Sequence, residues 1–104
     1  MSKFVKVARI DAVPEGQAKV FEAGDGRVAL CKIKGQVFAI ADICTHDGGP
    51  LGEGDLDGYE IICPRHGARF DVRTGAVLAF PAVMPVDSYP TRIEGDDVLV
   101  QLDE

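Results

Sequence analysis

The chain has 104 residues, of which 46% are hydrophobic and 27% charged, and its 17 acidic and 11 basic side chains give a formal net charge of −6. That length suits a single domain, 1–104, with a modest core that a bound metal would reinforce. No apolar run approaches the ~20 residues needed to cross a bilayer, residues 1–7 lack the apolar centre of a signal peptide, and the acidic balance is wrong for a nucleic-acid binder. A cytoplasmic protein without membrane or nucleic-acid partners is expected, and its three cysteines are too few for a disulfide scaffold.

In chain order, the first alternating run is residues 4–10, followed by a turn at Pro14-Glu15-Gly16. Residues 27–33 and 36–40 alternate again, with Asp25-Gly26 and Lys34-Gly35 as hairpin-type turns. From Asp42 to Pro64 glycines crowd, Lys and Arg vanish, and Asp42, Asp47, Glu53, Asp55, Asp57 and Glu60 accumulate. Asp57-Gly58 reads as a hairpin entering a strand over 59–62, and Arg65, Arg69 and Arg73 then reverse the sign of charge. Residues 91–94 and 98–102 flank Gly95-Asp96-Asp97 as a last hairpin. Turn signals every 8–12 residues predict an antiparallel sandwich or barrel. At most one or two short helical turns are expected, and no internal repeat is evident.

The chain's only two histidines each stand close to a cysteine. Cys44-Thr45-His46 and Cys63-Pro64-Arg65-His66 form C-x-H, sixteen residues, then C-x-x-H. Each loop offers one thiolate and one imidazole. Unlike ligands paired twice suit two inequivalent metals: two thiolates on one iron of a [2Fe–2S] cluster and two imidazoles on the other. Gly48, Gly49 and Gly67 would let backbone N–H groups turn towards bridging sulfides. A structural zinc site is the alternative for the same four residues, although zinc sets usually pair like ligands, C-x₂₋₄-C with H-x₃₋₅-H.

On both ligand loops, the stretch Gly67–Ala76 and the hairpin-like C-terminus, the chain resembles Rieske-type ferredoxins. These are the small electron carriers of multicomponent aromatic-ring-hydroxylating dioxygenases, and the resemblance covers essentially the whole chain. It implies an all-β fold: an antiparallel base with an inserted cluster-binding lobe, here approximately 42–75. It implies Cys44 and Cys63 on an inner iron, His46 and His66 on an outer iron near the surface, and a covering third loop at Phe80–Pro85. The implied function is one-electron transfer from a flavin-containing reductase to a terminal oxygenase, by a monomer that does no catalysis itself. A small Rieske-like subunit of assimilatory nitrite reductase is the alternative within the same fold, and a zinc-stapled interaction module the alternative outside it.

The departures from respiratory and photosynthetic Rieske proteins carry information. Gly49 and Arg65 stand where those proteins join the loops by a disulfide. Ala68 and Phe70 stand where they place a Ser and a Tyr that donate to sulfur. Without those donors the potential should fall towards the low end of the Rieske range, roughly −150 to +300 mV. Cys31 reads as an ordinary thiol in a strand, and Tyr59 and Tyr89 as packing residues. Arg65 is either a solvated loop charge or a docking residue. The acidic stretch 42–60 reads either as solubility or as a face for a basic partner.

Overall fold

A computed structural model describes residues 2–24, 26–45 and 48–103, and almost all of their regular structure is strand. The first sheet joins β1 (Ser2–Arg9), β11 (Asp97–Asp103) and β10 (Thr91–Glu94), in that order and antiparallel. The second runs β2 (Ala18–Ala23), β3 (Gly26–Ile33), β4 (Gln36–Ala41) and β9 (Ser88–Tyr89). The third runs β5 (Leu56–Asp57), β6 (Glu60–Ile62), β7 (Arg69–Asp71) and β8 (Val77–Ala79). One 3₁₀ turn, Ile10–Ala12, meets the expectation of minimal helix.

The second sheet is the shared layer. Side chains alternate across a strand, so on β3 and β4 Val28, Leu30, Val37 and Ala39 pack with Val98 and Val100 of the first sheet. Ala29, Cys31, Ile33 and Ile40 point the other way, into a core shared with Cys44, Cys63 and Phe70. Burial on both faces makes Val28–Cys31 a continuous buried run.

The site lobe is an insertion in this layer. The chain leaves the second sheet after Ala41 and re-enters at Ser88, whose strand pairs with β4 through Ala39↔Tyr89 and Ile40↔Ser88. All of the third sheet lies between those points, as the inserted-lobe expectation requires.

The hairpins predicted at Lys34-Gly35 and Gly95 form, as do strands at each alternating run. Lys34 and Gly35 both take positive φ, +53° and +78°, the pairing a two-residue hairpin needs. The Pro14-Glu15-Gly16 turn does more than reverse the chain. The Glu15 carboxylate accepts the Lys34 N–H at 2.7 Å and the Gly35 N–H at 2.9 Å, capping that hairpin. Asp25 of the expected Asp25-Gly26 turn lies outside the described residues, though the hairpin closes there through Ala23↔Gly26.

Candidate metal centre

The first ligand loop begins where β4 ends. Asp42, whose side chain is 2% exposed, accepts the Leu51 N–H at 3.0 Å and the Gly52 N–H at 2.7 Å through Oδ1. Its Oδ2 lies 3.1 Å from Arg27 Nη2 on β3. One carboxylate thus ties both ends of the loop to each other and to the second sheet. Gly52 fits because it has no side chain: a Cβ there would fall on Val20 and Ala29.

Inside this clamp the Cys44 N–H donates to the Gly49 carbonyl at 2.8 Å, and the Gly48 N–H donates to the Cys44 carbonyl at 2.7 Å. The second loop repeats the frame. The Cys63 N–H donates to the Ala68 carbonyl at 2.7 Å, and the Gly67 N–H to the Cys63 carbonyl at 3.0 Å. Gly48 and Gly67 take nearly the same left-handed φ, +76° and +78°, which a side chain at either place would resist. The two loops are therefore local structural equivalents built on Cys-x-x-x-Gly, a repeat the sequence reading did not find. The signal was available, but the histidines hide it by standing second after Cys44 and third after Cys63.

The structure brings Cys44 and Cys63 into one buried apolar cluster with Leu51, Ile61, Ala68 and Phe70. His66 stands at the exposed tip of its loop with Pro64, Arg65 and Gly67. His46, expected as the fourth ligand, lies outside the described residues. Among the described residues no group of three or more His, Cys, Asp and Glu side chains is gathered to hold a single metal ion. None of the three cysteines is in a disulfide. The residues fit a Rieske cluster in chemistry and in depth: two soft thiol donors inside, imidazole at the rim, and left-handed glycines opening both loops.

The expected third loop covers this core. Ala82 and Val86 are buried in the same cluster as the two cysteines. The Thr45 hydroxyl donates to the Met84 carbonyl at 2.6 Å, and the Val86 N–H donates to the Gly75 carbonyl at 2.9 Å. The loop is thereby fastened to the first ligand loop and to the turn after β7.

Cys31 shares the cluster but not the loop geometry. Burial pushes its thiol up to about 12, so it remains a protonated core side chain. Tyr59 is a packing residue, edge-on to Phe38 at 5.9 Å with the Arg73 guanidinium 4.2 Å from its ring centre. Arg69 lies 3.0 Å from Asp57 and 3.4 Å from Glu60. With Asp42 buried as well, Asp42, Asp57 and Glu60 of the acidic stretch are engaged within the protein, while Asp47 lies outside the described residues. Asp42, Thr45 and Gly75 were missed as site residues; in sequence Asp42 is indistinguishable from the solvated carboxylates that follow it.

The Rieske [2Fe-2S] domain model matches residues 3–90. The biphenyl dioxygenase ferredoxin subunit of Pseudomonas sp. strain KKS102 is 43% identical over 98 residues, covering 93% of this chain and 90% of the relative. The ferredoxin of carbazole 1,9a-dioxygenase from Nocardioides aromaticivorans IC177 is 36% identical with a TM-score of 0.89, covering 93% of this chain and 95% of that one. A structure described as a complex of reduced oxygenase and oxidized ferredoxin in carbazole 1,9a-dioxygenase contains a chain 31% identical with a TM-score of 0.85, covering 93% of this chain and 91% of that one. With the thiols inside, the imidazole at the rim and this match along nearly the whole sequence, the zinc alternative falls away: the chain belongs to the Rieske [2Fe-2S] domain family and carries a Rieske-type cluster.

Proposed function

We propose that this protein is a Rieske ferredoxin that takes single electrons from a flavin-containing reductase and delivers them to the terminal oxygenase of an aromatic dioxygenase system. The observation that carries the reading is the match to ferredoxin components along nearly their whole length. It is an electron-transfer component and not itself an oxygenase. Residues 1–104 form one Rieske unit with its cluster-bearing part at about 42–75. Cys44 and Cys63 would hold the inner iron, and His46 and His66 the outer one. When bound, the cluster supplies a reversible one-electron couple.

The chain's own residues set how that couple is presented. Burial of Cys44 and Cys63 among Leu51, Ile61 and Phe70 keeps water from the sulfur side. The exposed His66 tip leaves the imidazole side open to a partner. The covering loop, fastened through Thr45 and Val86, holds the lobe in one arrangement between partners. We place the protein in the cytoplasm as a monomer, without membrane or nucleic-acid contacts. No described helix is long and apolar enough to cross a membrane, and the net charge of −6 disfavours nucleic acid.

The test is electron delivery. Purified protein, reduced and mixed with the biphenyl dioxygenase terminal oxygenase of the KKS102 strain, should become oxidised as the oxygenase is reduced. Delivery to a sirohaem nitrite reductase and to no oxygenase would replace this reading by the nitrite reductase alternative.

A further inference from the structure

Six large apolar side chains are prominently exposed among the described residues, and five of them, Ile43, Leu78, Phe80, Val83 and Met84, lie between Ala41 and Ser88, where the chain is outside the second sheet. Phe80 is 82% exposed, Val83 68% and Met84 61%. Thr74–Val86 contains no charged residue. A shallow groove of about 320 Å³ runs along Val77–Phe80, Ala82 and Val83. Isolated exposed apolar residues are ordinary, but a contiguous group marks an interaction surface.

This group is held in place. Ala82 and Val86 anchor the inner side of the loop in the core with Cys44 and Cys63. The Met84 carbonyl accepts from Thr45 of the first ligand loop. The outer side chains are thus presented on a fastened loop directly over the sulfur core. A protein docking over this loop would cover these residues.

Resting on the proposed carrier role, we propose that Leu78, Phe80, Val83 and Met84 form the apolar footprint on which the electron-accepting terminal oxygenase docks, so that association is governed by apolar burial and not by the acidic stretch. The oxygenase is the occupant because a chain 31% identical to this one occurs in complex with an oxygenase. The proposal therefore requires an apolar, uncharged matching surface on the oxygenase. The acidic stretch is poorly suited to the task, since Asp42 is buried and Asp57 and Glu60 face Arg69.

The experiment uses cluster-loaded wild type, Val83→Ser/Met84→Ser, Leu78→Ser and Glu53→Gln/Asp55→Asn. Each is reduced and mixed in stopped flow with the KKS102 biphenyl dioxygenase oxygenase, from about 0.01 M to about 1 M salt. Both apolar variants should lose about tenfold in second-order rate at every salt concentration. Glu53→Gln/Asp55→Asn should match wild type. Oxidation of all four proteins by ferricyanide, which needs no docked partner, should be equal. If Val83→Ser/Met84→Ser does not retain its cluster, Leu78→Ser carries the test, because Leu78 lies on β8, outside the covering loop. Wild-type rates in both apolar variants would overturn the docking surface, as would a loss confined to reduction by the flavoprotein reductase. So would a wild-type dimer in sedimentation that the apolar variants dissociate. Failure of wild type itself to deliver electrons is a different result, and overturns the carrier function.

Discussion

The Val86 carbonyl oxygen occupies the space where a Cβ on Gly75 would stand, and the Val86 N–H returns a hydrogen bond to the Gly75 carbonyl at 2.9 Å. This close backbone contact seats the covering loop against the β7–β8 turn. Gly75→Ala should unseat it, combining a left-handed penalty with overpacking for a loss of roughly 2–5 kcal/mol. Gly48→Ala and Gly67→Ala meet open space and should each lose only the conformational part, about 1–2 kcal/mol. Urea unfolding of the loaded proteins, followed by visible absorption and circular dichroism, checks the order. Equal losses at all three positions would refute it.

The Asp42 clamp leads to a second expectation. Asp42→Ala leaves the Leu51 and Gly52 N–H groups without their acceptor and should destabilise by about 2–3 kcal/mol. Arg27→Ala should matter less, because the Arg27 side chain is 58% exposed while that of Asp42 is 2% exposed. Hydrogen exchange at Leu51 and Gly52 should accelerate in Asp42→Ala, while exchange at Val98 and Val100, in the other core, should not. Uniform acceleration would make Asp42 a general stabiliser and not a loop clamp.

The ligand loops and the glycine-marked hairpins were legible because each is written locally: Cys beside His, or Gly at a turn between alternating runs. What was not legible depends on partners distant in sequence. Ala18–Ala23 alternates only weakly and is a strand because Val20 and Phe21 pair with Ala29 and Val28. Leu56–Asp57 and Ser88–Tyr89 are two-residue strands defined by the ladder beside them. The stretch 67–76 carries part of the family resemblance, but its strand Arg69–Asp71 is defined by β6 and β8 on either side of it. For the same reason Asp42 looked like one solvated carboxylate among six: only the fold brings Leu51, Gly52 and Arg27 to it.

Cys31 separates a buried thiol from a ligand. With its thiol pushed up to about 12 by burial, Cys31 should resist alkylation in the native protein at mildly alkaline pH. Cys31→Ser should keep full iron and acid-labile sulfide while losing about 1–3 kcal/mol, because its hydroxyl would be buried among apolar neighbours. Cys44→Ser and Cys63→Ser should instead lose the cluster. Loss of iron in Cys31→Ser would give that residue a part in the site.

Glu15 supplies a pH dependence. Its carboxyl is held below the ordinary 4.5 by the Gly35 and Lys34 N–H groups that it accepts. A group whose pKa is lowered by folding contributes stability above its unfolded pKa and loses it as pH falls through the folded value. The Lys34–Gly35 hairpin should therefore be at full strength above about pH 4.5 and weaken below it. Glu15→Gln keeps only one acceptor oxygen for two donors, so it should be less stable near neutrality and show a shallower acid slope. Amide exchange at Lys34 and Gly35 from pH 6 downward reads this directly, and parallel profiles in wild type and variant would dismiss Glu15 as the cause.

The potential offers the last test, at two fully buried residues. Ala68 lies in the second ligand loop, where its carbonyl accepts the Cys63 N–H at 2.7 Å, and Phe70 packs in the same core as the two cysteines. Neither side chain can donate, which should leave the cluster electron-rich and its potential near the low end of the family range. Ala68→Ser places one hydroxyl in this dry region, where it has two fates. Bonded to a cluster sulfur, it stabilises the reduced form, so voltammetry should show a higher potential with stability close to wild type. Left without an acceptor, it costs about 1–3 kcal/mol and leaves the potential where it was. We expect the first outcome, with a further rise when Phe70→Tyr is added. A variant that is destabilised with an unmoved potential would show that Ala68 is small for packing, and that the low potential has another origin.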